Sequence, residues 1–214
     1  DIKKRKVREM NSSFQQRAAQ SKSFQKALKK AQKLNLEPAN LPSAHQLDYA
    51  DTKEKKTFKS LASAILRLQD QQWWATLPRT SQAEEIFSFL LSLRNTIEIQ
   101  IEILSSPFDE ESIKGKRIWC NKNLPAEVFG CYHIRGDKES FASNETILLD
   151  DRLKVVNKFS NAKGHGVWFV KGWEEKIKTL LKENSIKTIY IDMDGVLVDN
   201  HSKLVQCMEN LLKN

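Results

Sequence analysis

Two carboxylates stand two residues apart in the run IYIDMDGVLVDN, at Asp192 and Asp194. On an extended chain such a pair projects to one side. That suits a hard cation such as Mg²⁺, which takes oxygen ligands and bridges carboxylate to phosphate. One carboxylate can then attack phosphorus while the other handles the proton on the leaving group. Gly195 directly behind the pair lets the chain turn sharply. Three more groups of reactive residues follow β-like runs: Ser105-Ser106-Pro107 after IEIQIEIL (97–104), Arg135-Gly136-Asp137-Lys138 after VFGCYHI (128–134), and Asp150-Asp151-Arg152 at the end of ETILLDD (145–151). Each group alone is ordinary, as a turn, a helix cap or a solvated lysine. In a parallel α/β sheet, however, ligands bind beyond the carboxyl ends of the strands. Placed on that rim together, Ser105 can bond a phosphoryl oxygen, Lys138 can offset phosphate charge, and Asp150-Asp151 can complete a metal site.

The elements that must position these groups are legible in the periodicity. Strands at 97–104, 128–134, 145–151, 164–170 and 187–194 are separated by helical patterns at 109–124 and 173–184, and a last helix spans 201–214. That alternation predicts a parallel sheet of about five strands covered by helices. Upstream, residues 1–35 place Phe14, Ala18, Phe24, Ala27, Leu28, Ala31 and Leu34 mostly at helical spacing, and the proline-bearing stretch 34–47 reads as a connector. A second helical pattern runs from 53 to 72 into the aromatic cluster QQWWATLP. Ser81, with Glu84 three residues on, predicts a capping box for the next helix. The expected divisions are a basic helical segment at 1–50, a helical element with the aromatic cluster at 51–80, an α/β core at 81–200 and a helix at 201–214.

Charge is unevenly placed. Residues 1–60 hold fifteen Lys or Arg against six Asp or Glu, while the remainder is nearly balanced, so the net +8 belongs to one segment. A basic arm can bind nucleic acid by counterion release, which makes residues 1–33 candidates for that role; a solvated helix face is the plainer reading. No apolar run approaches the roughly eighteen residues needed to cross a bilayer. Three scattered cysteines argue against a disulfide framework, and a cytoplasmic setting is expected. Cys131, on an expected core strand, reads as a small apolar filler. His45, His133, His165 and His201 share no metal-binding spacing and read as structural.

DMDGVLVD resembles the first motif of the haloacid dehalogenase superfamily, ILSSP its second, RGDK its third and ILLDDR its fourth. The likeness is greatest to the 5′(3′)-deoxyribonucleotidase branch, whose aromatic stretch before the second core strand is matched by QWWATLP. The resemblance covers roughly residues 71–205 and implies a haloacid dehalogenase-like fold with a small helical cap. It implies a Mg²⁺-dependent phosphomonoesterase acting on deoxyribonucleoside monophosphates, in which Asp192 becomes an aspartyl-phosphate and Asp194 is the general acid/base. Asp192, Asp150, Asp151 and the Asp194 carbonyl would hold Mg²⁺, and Ser105 and Lys138 the phosphate. Ser106 and Arg152 are candidates for nucleotide contacts. Trp73 and Trp74 are candidates for stacking on a base, or for simple packing.

The motif order departs from the family. There the first motif opens the chain and a cap follows; here it comes last. A circular permutation, natural or engineered, with the new ends inside the cap is the simplest account. The alternative is a segment of a larger protein, or exchange of the 187–194 strand between chains. Two further functions are weighed: a phosphatase for nucleic-acid ends, and a catalytically silent module that binds nucleic acid or a protein partner through its basic helices.

Overall fold

The protein is described by a computed structural model over residues 14–38 and 52–213. His45 and parts of the expected basic helix and connector therefore lie outside the described residues. The chain divides into two compact units, residues 1–70 with 201–214, and residues 71–200.

The first unit is helical. It comprises α1 (residues 14–20), α2 (Lys22–Lys33), α3 (Lys53–Leu66) and α9 (Asn200–Leu212). The Ser21 and Thr52 side chains accept backbone N–H groups at the starts of α2 and α3, satisfying donors that have no partner within the helix. Phe24, Ala27 and Ala31 of α2 share one core with Phe58, Leu61 and Ile65 of α3 and with Leu204 and Met208 of α9. The expected three- and four-residue apolar spacing is thus the buried stripe. Lys22, Lys26, Lys29, Lys30 and Lys33 lie exposed on the other side of α2.

The second unit carries a five-stranded, all-parallel sheet in the order β2-β1-β5-β3-β4. Its strands are β1 (Gln100–Ser105), β2 (Tyr132–Ile134), β3 (Thr146–Asp150), β4 (His165–Trp168) and β5 (Thr188–Ile191). Every residue of β3 and β5 is buried, as strands covered on both faces require. Register aligns Ile101, Ile189 and Ile147 in one row and Ile103, Ile191 and Leu149 in the next. On the other face Leu104, Leu148 and Tyr190 pack with Phe159. The strand leading to Asp192 therefore lies between β1 and β3 of the same chain.

Helices α4 (Gln71–Ala75), α5 (Ala83–Arg94), α6 (Glu110–Asn123), α7 (Leu153–Asn161) and α8 (Trp173–Glu183) accompany the sheet. Several expectations need correction. The helical pattern at 53–72 ends at Leu66, and the aromatic cluster at 71–75 is a separate short helix that belongs to the α/β unit. Ser81 does not cap α5: Gln82 precedes the helix in a helical conformation with no side-chain cap, and Glu84 pairs with Arg79. Tertiary bonds set this entry, because Thr80 donates its N–H to the Leu197 carbonyl at 2.9 Å and its hydroxyl to the Val196 carbonyl at 2.8 Å. The strand expected at 128–134 is cut to three residues. Val128 and Phe129 turn back onto the Pro125 carbonyl and bury their side chains instead of pairing. Cys131 is exposed and is not a core filler. Helix α7, not anticipated, follows directly on Asp151-Arg152. No helix among the described residues is long and apolar enough to cross a membrane.

Candidate active site

Strand ends converge as the spacing requires. The β5 ladder continues one residue past Ile191, with the Asp192 N–H donating to the Leu149 carbonyl at 2.8 Å. This seats Asp192 beside Asp150, the last residue of β3. Carboxylate oxygens of Asp150, Asp151 and Asp192 all lie within 4.8 Å of one another, and the three residues are buried. Trp168 at the end of β4 donates its indole N–H to the Asp151 carbonyl at 2.9 Å, fixing that backbone.

Lys138 begins the 3₁₀ turn Lys138–Phe141 and is 2% exposed. Its ammonium lies 2.7 Å from Asp150 Oδ2 and 2.9 Å from Asp192 Oδ1. Burial opposes its charge, but Asp192 and Asp150 together outweigh burial and hold its pKa above the ordinary value. Burial would likewise push Asp192 up, yet Lys138, Arg152 and Lys116 overcome it and hold this carboxyl below the usual range. Asp150 is pushed up to about 6 by burial and then by Asp192, with Lys138 and Arg152 opposing. Asp151 is pushed up to about 8 by burial, then by Asp192 and Asp150. Protons therefore reside on Asp151 and Asp150 before they reach Asp192, which stays ionised.

Gly195 adopts φ +75°, and a Cβ there would lie 2.2 Å from Asp151 Oδ2. The turn after Asp194 thus needs glycine for conformation and for space. The turn is closed by the Gly195 N–H donating to the Val198 carbonyl at 3.0 Å, and the Asp199 N–H donates to the Pro78 carbonyl at 2.9 Å.

The residue that sequence reasoning missed is Lys116. Helix α6 starts in a capping box in which Asp109 accepts from the Ser112 N–H and Ser112 accepts from the Asp109 N–H, each at 2.8 Å. Lys116 follows one turn after Ser112 on the inward stripe that includes Trp119, and it is 1% exposed. Its ammonium donates to Asp194 Oδ2 at 2.5 Å, to the Ser106 carbonyl at 2.6 Å and to Ser105 Oγ at 3.0 Å. A lysine on the apolar stripe of an otherwise amphipathic helix was the available signal. Asp194 Oδ1 is shielded from solvent and has no hydrogen-bond partner among the described residues. Replacing Lys116 with Met keeps the packing and removes all three bonds. The expected result is a folded protein with a Tm lower by several degrees, measured by thermal melt and circular dichroism, because the partly buried Asp194 carboxylate loses its cation.

No family model, curated protein or solved structure matches the chain. What the site can do therefore rests on its own geometry.

The structure brings together Ser105, Lys138, Asp150, Asp151, Asp192 and Asp194, with Ser106 present through its carbonyl. Arg152 is half-exposed beside them, its Nε 3.8 Å from Asp150 Oδ1. Trp74 is not available to stack on a base. It is 2% exposed, stacked against Phe108 and edge-on to Trp73, because Gly115 lets α4 approach α6 so closely that a Cβ there would meet Trp74 Cβ at 2.3 Å. Trp73 is only partly buried and keeps the candidacy alone.

Three clustered carboxylates fit a hard divalent cation, and the upward shifts of Asp150 and Asp151 are what such a cation would relieve. Unfolded, an aspartate titrates near about 3.9. These two groups therefore bind extra protons in the folded protein from there up to about 8, so their contribution to stability is fullest below the lower value and is lost as pH rises through the upper. Metal-free protein should accordingly lose on the order of 5 °C in Tm between pH 5 and 8. Magnesium should raise Tm more at pH 8 than at pH 6, and Asp151→Asn should flatten the profile. Thermal melts across pH, with and without magnesium, test this.

Proposed function

We propose that the protein is a magnesium-dependent phosphomonoesterase of the haloacid dehalogenase type, acting on deoxyribonucleoside monophosphates with Asp192 as nucleophile. One observation carries the reading: a buried Asp192 ends the central strand with Asp150 and Asp151 within carboxylate reach and two buried lysines beside it. The central position of β5 is also what the resemblance requires of the strand bearing the first motif. The nucleotide preference rests on that resemblance.

In this mechanism an Asp192 oxygen attacks phosphorus, the bond to the ester oxygen breaks, and the leaving alkoxide takes a proton from Asp194. Lys116 occupies Asp194 Oδ2, which leaves Oδ1 to carry that proton. Water then attacks the aspartyl-phosphate as Asp194 takes back a proton, and phosphate leaves with Asp192 restored. Ser105 and Lys138 orient the phosphoryl oxygens. Asp192, Asp150 and Asp151, with the Asp194 carbonyl, would hold Mg²⁺, which neutralises phosphate charge when bound.

The test is phosphate release from deoxyribonucleoside monophosphates with magnesium and with chelator. Release that is indifferent to chelator would sink the mechanism. The exposed lysines of α2 favour a second reading, a phosphatase for nucleic-acid ends. A 3′-phosphorylated oligonucleotide at two salt concentrations separates the two, since strand binding weakens steeply with salt. Tight DNA binding with no release from any monoester would instead indicate a silent binding module.

A further inference from the structure

A second cluster lies on the sheet away from the aspartates. Glu102 is on β1, and the register places His133 of β2 across from Leu104 on the same face. Cys131 precedes His133 by two residues, the spacing that turns both side chains to one side of an extended chain. His133 Nε2 lies 2.8 Å from Glu102 Oε2 and 3.3 Å from Cys131 Sγ. A carboxylate oxygen, an imidazole nitrogen and a thiol sulfur thus fall within 4.8 Å of one another. The imidazole is held by Phe141, 4.9 Å away between ring centres, and by Tyr190 at 6.2 Å. Cys131 is exposed, and the side chains of His133 and Glu102 keep 30% and 13% of their surface, so an ion can reach the site.

We propose that Glu102, Cys131 and His133 bind one divalent transition-metal ion of borderline softness, with zinc as the fitting occupant. The donor set decides the class. Thiolate and imidazole favour zinc over magnesium, whereas the aspartate cluster offers only oxygens and suits the harder ion. Ligand atoms around tetrahedral zinc sit roughly 3.3–3.6 Å apart, so the Glu102–His133 pair needs to spread by about half an ångström and the His133–Cys131 pair by less. On binding, the Cys131 thiol releases its proton to solvent, and the neutral imidazole keeps its proton on Nδ1 instead of Nε2, so that the Nε2 lone pair faces the ion. Water completes the coordination. The ion would staple β2, an edge strand of three residues, to β1.

Cobalt(II) titration of the full chain, with excess magnesium present, tests the site. One equivalent should produce thiolate-to-cobalt charge-transfer absorption that zinc abolishes by displacement. Cys131→Ser should lose the band, and Glu102→Gln should weaken binding on the order of tenfold. Asp192→Asn should retain the band, which separates this site from the phosphatase reading. Zinc should also slow alkylation of Cys131 in the unaltered protein, read by peptide mass spectrometry, so the outcome does not depend on a variant folding. Absence of the band, its persistence in folded Cys131→Ser, or unchanged alkylation would overturn the proposal.

Discussion

Replacing Asp192 with Asn is expected, under the proposed mechanism, to lower magnesium-dependent phosphate release by at least about 10³-fold, some 4 kcal/mol of transition-state stabilisation, while the protein stays folded. Asn keeps the shape of the side chain but is no nucleophile toward phosphorus. The fold should tolerate it because the substituted oxygen can still accept the Met193 N–H, now 2.8 Å from Asp192 Oδ1. Lys138 would also retain Asp150 as its partner. Steady-state phosphate release measures the first effect, and a thermal melt within a few degrees of the unaltered protein confirms the second. Activity within tenfold would remove Asp192 from the nucleophile role.

Lys138→Met should damage stability. Its ammonium stands between Asp150 and Asp192, which are 0% and 2% exposed. Without it two buried carboxylates face each other with no cation between them. Breaking a buried pair in this way costs on the order of 3–5 kcal/mol, which corresponds to roughly 10 °C in Tm for a domain of this size. The sign with pH is distinctive. Protonating Asp150 or Asp151 relieves the repulsion, so the deficit should shrink toward pH 5 and grow toward pH 8. Magnesium should recover part of the lost stability by supplying positive charge to the same oxygens. Melts over that pH range check the first claim, and an unchanged Tm at pH 8 would refute it.

Much of this site was legible in the chain because its pieces are local. TIYI followed by Asp-x-Asp-Gly is an apolar run short enough for a buried strand, ending in residues that belong on a rim. Asp150-Asp151, Ser105 and Lys138 were each legible as the end of a similar run. Lys116 escaped because its only signal, a place on the helix stripe that also carries Trp119, gains meaning once Gly115 brings that stripe against α4. Trp74 escaped for a related reason: an aromatic residue near a site looks the same in sequence whether it is packed or free.

The sequence by itself determined the alternation of apolar strands and amphipathic helices, and hence the parallel α/β class, together with the order of the reactive residues along the chain. Those properties are set by side-chain periodicity within a few residues. The tertiary structure alone decided which strands are neighbours, placing β5 between β1 and β3 although it comes last in the chain. It also decided the failed cap at Ser81, the shortened β2, and the meeting of Glu102 with Cys131 and His133. Each of these depends on pairing or packing between distant segments. Local pattern sets what a segment can form, but the partner that completes it, and therefore the Asp192 site, is a property of the folded whole.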